Sequence, residues 1–343
     1  MALEDEMKNL DQVLSDIQTK VDFSGTVFVQ QENDPAATAS FGFSNRADQV
    51  KNNTDTRFGI ASGCKLFTAI AICQLVEDGK LTFDTRLKDC VDVDFPHFSD
   101  EITLHHLLTH TSGIPDYFDE EVMDDFEELW VERPMYHIRS LSDFLPMFQN
   151  EQMKAAPGES FHYNNAGYIL LGLIVEQASE RTFTEYVEEH IFKRAGMKDS
   201  GYFSFDQMPA NTATGYIDLP DGTWKTNIYS LPVKGGPDGG AYITVNDMAK
   251  LWKALFGKLL LKEETLARLL TPHAQVNETG FHGYGIWIKK EPGYAVKYHV
   301  MGYDPGVSFH SAYYPETEAT VVVCSNKSQG AYDIMAAVEK ELI

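Results

Sequence analysis

Cysteine and unbroken apolar stretches are both scarce in this sequence, and each shortage excludes a class of protein. Four of the 343 residues are cysteines, Cys64, Cys73, Cys90 and Cys324, and no two of them form a C-x-x-C motif. We therefore expect free thiols rather than a disulfide framework or a redox motif. No run of about 18 apolar residues occurs, so no membrane span is predicted.

Basic residues are also in short supply. The chain has 28 lysines and arginines against 51 acidic residues, which gives a formal net charge of -23. Such a surface repels phosphate backbones and anionic lipid headgroups, so no nucleic-acid partner and no peripheral membrane binding are predicted. A solvated acidic surface that favours solubility is the main interpretation of this charge, and steering of a cationic substrate is the minor one.

The N-terminal segment lacks the features of a leader. Its residues MALEDEMKNLDQVL are acidic where a signal peptide would be basic and then apolar. A cytoplasmic location is therefore favoured, whereas removal of a leader would imply an exported protein, so localisation stays open. Residues 3–22 carry apolar side chains at alternating spacings of four and three, which predicts an amphipathic helix.

The distribution of secondary-structure patterns predicts the fold. With 43% apolar residues the chain can bury a large core, and short β-branched or aromatic segments lie near both ends with helical periodicity between them. We expect an α+β or α/β sandwich: an antiparallel sheet built from both chain ends and flanked by helices, with an inserted, mostly helical lobe. One unit would span 1–343, with an α/β lobe at about 1–82 and 236–343 and a helical lobe at about 83–235. The predicted strands are 25–31, 39–43, 57–61, 283–289, 296–301, 307–313 and 319–324.

The stretch SGCKLFTAIAICQLVED, residues 62–78, is apolar on nearly all sides, which predicts a buried helix that begins at Ser62. Lys65 would share a helix face with Ser62 and reach its hydroxyl. A serine becomes nucleophilic when a base takes its proton, and burial favours the uncharged form of a lysine. The helix N-terminus adds N–H groups near a developing oxyanion. The structural alternative is a lysine that extends to the surface.

Tyr163 and Asn165 form a second pattern, Tyr-x-Asn, in the loop PGESFHYNNAG before a predicted helix. A cationic lysine favours the phenolate of a neighbouring tyrosine, which can then act as a general base. The amide of the asparagine can hydrogen-bond to both the lysine and a substrate carbonyl. The alternative is a turn tyrosine followed by a helix cap at Asn164 or Asn165.

A third pattern is the strand and turn HVMGYDPGVSF, residues 299–309. A glycine-flanked strand lets a substrate lie against the backbone and can supply an N–H group to an oxyanion. An ordinary hairpin turn at Asp304, Pro305 and Gly306 explains the same residues equally well.

Ser-x-x-Lys, Tyr-x-Asn and a Gly-x-x-Pro-Gly turn, in this order and spacing, resemble the serine β-lactamase and penicillin-binding protein superfamily. The chain looks most like the class C β-lactamase-like branch, which includes D,D-peptidases, D-aminopeptidases and esterases. The similarity runs from about residue 24 to the C-terminus. Supporting stretches are FGIASGCKLFTAIAICQLVEDGKLTFD, ITLHHLLTHTSGIPDY, PGESFHYNNAGYILLGLIVE and GPDGGAYITVNDMAKL.

The resemblance implies a role for each matching residue. Ser62 would be the acylated nucleophile and Lys65 its proton partner, with Tyr163 as general base and Asn165 as a ligand of Lys65 and of the substrate. The backbone N–H groups of Ser62 and Tyr303 would form the oxyanion hole. The family's fold, an antiparallel sheet beside a mostly helical lobe, places the site in the cleft between them, and its chemistry needs no cofactor.

One motif departs from the family. Where relatives read Lys-Thr-Gly or His-x-Gly, this chain has the substrate-binding positions Val300, Met301 and Gly302, with His299 one place early. A one-residue offset in a strand turns a side chain to the opposite face, so no cation from this motif is expected in the site unless a bulge intervenes. That cation commonly meets a substrate carboxylate. A neutral ester or amide is therefore more plausible than an efficiently hydrolysed β-lactam.

The predicted function is hydrolysis of an amide or ester through an acyl-enzyme, as in a D,D-peptidase, an esterase or a weak β-lactamase. The alternative is a non-catalytic or slowly acylated module that binds peptidoglycan or β-lactams. The expected partner is a small-molecule or peptide substrate, and oligomeric state stays open. His106 and His110 lie four residues apart, but no third ligand is evident, so no metal is predicted.

Overall fold

The computed structural model describes residues 12, 15–16, 21–32, 34–291 and 294–342. The amphipathic helix predicted over residues 3–22 falls almost wholly outside them. The four cysteines are free thiols, as the sequence predicts. Among the described residues, no helix is both long and apolar enough to cross a membrane.

Fourteen strands are found in the described part of the chain, and eight of them form one sheet. Numbered along the chain, the strands are β1 (Gly25–Gln30), β2 (Ala37–Phe41), β3 (Phe43–Asn45), β4 (Val50–Lys51), β5 (Phe58–Gly59), β6 (Tyr216–Asp218), β7 (Trp224–Thr226), β8 (Tyr242–Ile243), β9 (Ala274–Gln275), β10 (Gly280–His282), β11 (Trp287–Glu291), β12 (Tyr294–Asp304), β13 (Val307–Tyr314) and β14 (Ala319–Ser325). The order of the large sheet is β2-β1-β14-β13-β12-β11-β10-β9, and every neighbouring pair is antiparallel. The predicted α+β fold is thus confirmed, with a sheet built from both chain ends. The boundaries given above for the two lobes stay predictions.

Helices cover both faces of this sheet. They are α1 (Lys65–Glu77), α2 (Leu104–Leu108), α3 (Leu129–Glu132), α4 (Asn165–Ser179), α5 (Phe183–Val187), α6 (Lys193–Ala195), α7 (Val245–Phe256), α8 (Glu263–Leu269) and α9 (Ala331–Leu342). Every residue of β14 is buried, because alternate side chains enter two different cores. Val322 and Cys324 belong to the large core that contains α1, whereas Val321 and Val323 pack with α9.

Helix α1 runs through the interior, and every residue from Lys65 to Leu75 is buried. This explains why its sequence is apolar on nearly all sides. The helix does not begin at Ser62, however, because a 3₁₀ turn over Ala61–Cys64 precedes it. Ser62 therefore lies in a tight turn that leads into α1.

Two predicted strands need correction. Residues 57–61 do not join the large sheet; instead β5 pairs with β8 in a separate two-stranded sheet, and the chain then turns directly into the Ser62 segment. Residues 283–289 are not one strand, because the chain turns between β10 and β11. At this turn Gly285 has a φ of +65°, and a Cβ atom there would lie 2.6 Å from the carbonyl oxygen of Lys65. The turn therefore packs directly against the start of α1.

Candidate active site

The backbone around Ser62 is tightly constrained. Ala61 has a φ of +45°, a left-handed conformation that costs a non-glycine residue about 1 kcal/mol. A Cβ atom at Gly302 would lie 2.2 Å from the carbonyl oxygen of Ile60 and 2.7 Å from the backbone nitrogen of Ser62. Only glycine leaves room for this approach, which brings the backbone of β12 next to the Ser62 N–H group.

Lys65 connects Ser62 to the helical part of the molecule. Its ammonium group donates hydrogen bonds to Ser62 Oγ at 2.9 Å, to Asn165 Oδ1 at 2.8 Å and to the backbone oxygen of Asp238 at 2.7 Å. The same nitrogen lies 4.9 Å from the centre of the Tyr163 ring, and the Tyr163 hydroxyl interacts with both Ser62 and Lys65. The residues singled out by the first two sequence patterns therefore meet at one point.

The charge of Lys65 differs from the sequence expectation. Burial alone would lower its pKa, but the neighbouring Tyr163 and Asp238 outweigh burial and raise the pKa above its usual value. Burial also raises the pKa of Tyr163, and Lys65 offsets only part of that effect. For Lys65, this direction is opposite to the readily deprotonated lysine that burial alone would produce. Near neutral pH the pair holds both protons, and the first proton to leave belongs to the pair as a whole.

The start of α4 fixes the amide of Asn165. Asn164 caps the helix by accepting a hydrogen bond from Gly167 N at 2.7 Å. The Asp116 carboxylate accepts from the backbone N–H groups of Asn165 at 2.6 Å and Ala166 at 2.9 Å, and burial raises the pKa of Asp116 to about 7. Asn165 Nδ2 donates to the backbone oxygen of Phe118 at 3.2 Å, so Oδ1 faces Lys65.

Strand β12 places the residues of the third pattern on two faces. Its register with β13 continues without a shift from Tyr298 to Asp304, so no bulge moves His299 into the position of Val300. Val300 is buried in the same core as α1. His299 lies on the other face, across from Trp287 on β11, and burial holds its pKa well below the usual value.

Met301 and Tyr303 share the face of His299 because side chains alternate along a strand. The Tyr303 hydroxyl pairs with His310 Nε2 at 2.6 Å. Only the backbone of Tyr303 is therefore available to act beside Ser62. The strand itself brings no cationic side chain from positions 299–303 to Ser62.

A cavity of about 570 Å³ opens beside Ser62. Its apolar lining includes Phe118, Phe126, Phe144, Phe203, Phe205 and Leu231. Its acidic lining consists of Glu120, Asp124, Asp125, Glu127, Asp238 and Asp304, whereas Lys234 is the only basic residue among the described residues that line it. A cavity of this size and position can hold a small substrate against Ser62.

Three acidic residues of the site were not predicted from the sequence. Asp116 orients Asn165, Asp238 supplies a backbone acceptor to Lys65, and Asp304 lines the cavity. The stretch GPDGG around Asp238 and the position of Asp304 two residues after Gly302 were available signals. The sequence analysis assigned no role to the carboxyl group of either residue.

The histidines considered as metal ligands do not converge. His106 takes part in the N-terminal cap of α2, whereas His110 Nδ1 accepts a hydrogen bond from the backbone of Asn164. Among the described residues, Asp119, Glu121 and His162 are close enough together to share an ion. Lys154 already forms an ion pair with Asp119, so a cationic side chain occupies that position.

This chain is similar in sequence and in structure to several known proteins. The sequence profile of the family described as Beta-lactamase matches residues 10–342. The crystal structure of a penicillin-binding protein from Bacillus halodurans is 60% identical with a TM-score of 0.93, over 96% of this chain and 99% of that one. Penicillin-binding protein 4* of Bacillus subtilis (strain 168) is 28% identical over 343 residues, which covers 95% of this chain and 73% of the relative. At 20% identity and a TM-score of 0.82, D-amino acid amidase from Ochrobactrum anthropi SV3 shares the fold over 98% of both chains.

Proposed function

This chain belongs to the β-lactamase family, and we propose that it is a serine hydrolase that cleaves an amide or ester through an acyl-enzyme on Ser62. Family membership supports a serine hydrolase-like function in general. The observation that carries the specific proposal is the 2.9 Å hydrogen bond between Lys65 Nζ and Ser62 Oγ in a buried site that also contains Tyr163.

In the proposed reaction, the Lys65–Tyr163 pair first loses one proton to solvent; Ser62 Oγ then attacks the carbonyl carbon and transfers its own proton to the pair. The backbone N–H groups of Ser62 and Tyr303 bind the oxyanion. The pair then protonates the leaving amine or alcohol, the C–N or C–O bond breaks, and the acyl group stays on Ser62. Water next gives a proton to the pair and attacks the acyl-enzyme, and the pair returns that proton to Ser62 as the acid leaves.

The substrate carbonyl in this proposal belongs to an uncharged amide or ester. Val300 brings no cation to the position where related enzymes would meet a substrate carboxylate, which supports this choice over an efficiently hydrolysed β-lactam. The names of two proteins compared above, penicillin-binding protein and D-amino acid amidase, are consistent with an amide substrate.

Covalent labelling tests the proposal without knowledge of the substrate. A fluorophosphonate probe should add one phosphonyl group to the protein as fluoride leaves, and Ser62→Ala should abolish the addition. Ser142→Ala, which removes an exposed serine hydroxyl, should label like the unmodified protein. Intact mass spectrometry measures the adduct, and equal labelling of Ser62→Ala and the unmodified protein would refute the assignment of Ser62.

A slowly acylated binding module is the second candidate, and it is favoured by Val300, which stands where the family's third motif has a lysine or histidine. Such a protein would react once with nitrocefin, p-nitrophenyl butyrate or a D-Ala-D-Ala peptide and then stop. A burst equal to the protein concentration without steady-state turnover would support this module. Sustained release of product would support the hydrolase.

A further inference from the structure

The cavity beside Ser62 has an uneven distribution of charge. Six carboxyl groups and one lysine line its described part, and the lysine, Lys234, donates its ammonium hydrogen bond to Thr184 Oγ1 at 3.2 Å. Glu127 is neutralised by an ion pair with Lys225 at 2.6 Å. By contrast, neither Asp238 nor Asp304 forms an ion pair with a lysine or arginine that the structure describes, although the charge of Lys65 acts on both.

Asp304 differs from Asp238 and Glu127 because its side chain is unpaired in the described part of the chain. Its side chain lines the cavity but makes no hydrogen bond or ion pair with any residue that the structure describes. The like charges of Asp238 and Glu120 act on it, and Lys65 acts on it with the opposite charge. A carboxyl group in this position gains most from a ligand that brings a positive charge.

Asp238 is the second carboxyl group at the base of the cavity. It is 7% exposed, and its carboxylate accepts a hydrogen bond from the Tyr117 hydroxyl. Its backbone oxygen accepts from Lys65 at 2.7 Å, which ties this residue to the group that contacts Ser62. Asp238 and Asp304 therefore reach the reaction centre from two separate segments of the chain.

The position of Asp304 in β12 limits where a ligand bound by this residue can carry its positive charge. Asp304 directly follows Tyr303, whose N–H group is the proposed oxyanion donor, and adjacent Cα atoms lie 3.8 Å apart. A cation bound by Asp304 would therefore lie one residue along β12 from the proposed oxyanion donor. The aromatic residues of the cavity wall, such as Phe118 and Phe126, suit an apolar side chain on the same molecule.

Resting on the proposed acyl-enzyme at Ser62, we infer that the substrate carries a protonated amine close to its scissile carbonyl and that Asp304 and Asp238 bind this amine. The substrate class is therefore amides or esters of amino acids with a free amino group and an apolar side chain. An N-acylated substrate would lack this interaction, and a carboxylate near the scissile bond would be repelled by the ionised carboxyl groups of the cavity.

This recognition has a measurable proton linkage. Burial, followed by the charge of Asp238, raises the pKa of Asp304 to about 8, so near pH 7 the empty site holds this carboxyl group mostly protonated. A bound ammonium group favours the carboxylate and expels that proton. The other titratable groups that influence or feel Asp304 are Asp238, Glu120, Lys65, Tyr117 and Tyr242. Affinity for a permanently protonated amine should therefore rise between pH 7 and pH 8.

Binding to the Ser62→Ala protein tests the inference independently of catalysis. By calorimetry, 2-phenylethylamine should bind at least about tenfold more tightly than its neutral analogue 2-phenylethanol, and it should release a proton at pH 7. Asp304→Asn should remove this preference. Asp94→Asn, which neutralises an exposed carboxylate without a described partner, should keep it. Equal affinity for amine and alcohol, or no detectable binding of the amine, would overturn the inference.

Hydrolysis of matched substrates is a second test of the proposed amine recognition. The p-nitroanilides of D- and L-phenylalanine are compared with their N-acetyl derivatives, and at least one free amine should exceed its derivative about tenfold in kcat/KM. Asp304→Asn should lower kcat/KM for the free amine and spare the derivative. If the N-acetyl form is preferred while the fluorophosphonate still labels Ser62, the inference fails and the proposed function survives. If labelling fails while amine binding depends on Asp304, the proposed function fails and the amine site survives.

Discussion

The polar groups beside Ser62 form two sets that differ in how completely they are hydrogen-bonded. On one side Lys65 donates to three acceptors between 2.7 and 2.9 Å, and the α4 cap holds Asn165 in place. On the other side Asp304 has no hydrogen-bonding partner among the described residues, although it lines the cavity with Asp238 and Glu120. We call these the relay side, which consists of Lys65, Tyr163 and Asn165, and the cavity side, which consists of Asp238, Asp304 and Glu120.

This difference matches the two tasks that we propose for these residues, proton transfer and recognition of the substrate. Groups that move a proton must already have their geometry before the substrate arrives, because reorganisation would add to the barrier. Groups that select a charged substrate gain affinity if no other group already pairs with them before the substrate binds. The free protein therefore satisfies the polar groups of the relay side and leaves a carboxyl group of the cavity side without a partner.

Loss of Lys65 should have the largest effect. Lys65→Met keeps an apolar stem of similar length and removes the ammonium group, so the rate of fluorophosphonate labelling should fall about 10³-fold. Lys193→Met, at an exposed position of α6, is the matched control and should label normally. A labelling rate of Lys65→Met within tenfold of the unmodified protein would show that the relay side does not activate Ser62.

The pH dependence of the labelling rate should depend on the relay side and not on the cavity side. The Lys65–Tyr163 pair must lose one proton before it can accept that of Ser62, and the pKa values of both groups lie above their usual values. The rate of labelling with a neutral fluorophosphonate should therefore rise about tenfold per pH unit between pH 7 and pH 9. Asp304→Asn should leave this slope unchanged, since the cavity side does not move the proton. A rate that is flat or falls with pH would contradict the assigned protonation states.

Gly302→Ala should disturb the backbone that both sides share. The new Cβ atom would meet the backbone at Ile60 and Ser62, so we expect labelling at least tenfold slower and a loss of about 1–3 kcal/mol in the free energy of unfolding. Gly239→Ala is the matched control, because its Cβ atom would have 3.7 Å to the nearest atom of Ala61. Labelling rates and thermal unfolding measure the two effects, and equal behaviour of the two variants would refute the close approach.

Ala61→Gly should have the smallest effect. Glycine removes a left-handed strain of about 1 kcal/mol but adds conformational freedom to the unfolded chain that costs about 0.5–1 kcal/mol. The free energy of unfolding should thus change by less than about 0.5 kcal/mol, with labelling within about threefold of the unmodified protein. Chemical denaturation provides the measurement. A large loss of labelling at unchanged stability would mean that Ala61 restrains Ser62 directly.

The sequence was most informative where the contacts are local. Ser62 and Lys65 lie three residues apart, so their proximity follows from helix geometry, and the apolar pattern of α1 indicates that both enter the interior. The resemblance then brought in Tyr163 and Asn165, although Asn165 lies 100 residues from Lys65. The α+β fold followed from the positions of strand-like segments along the chain.

Electrostatic contacts between residues far apart in the sequence could not be predicted in this way. The backbone oxygen of Asp238 lies 173 residues from Lys65, and no periodicity in the sequence predicts that contact. The charges of Tyr163 and of the Asp238 carboxyl group reverse the direction in which burial alone would shift the pKa of Lys65. The proximity of Asp304 and Asp238 was missed for the same reason, because two short turns converge only in the folded protein.

The origin of the cavity wall has a consequence for protein engineering. Most of the wall comes from the loops around residues 117–127 and 231–240, whereas Ser62 is held by α1 and β12. Exchange of these loops between relatives would change the walls that contact the substrate and leave the nucleophile on the same scaffold. Asp304 is the exception, since it ends β12 itself, so a graft intended to alter charge preference must also replace this one strand residue.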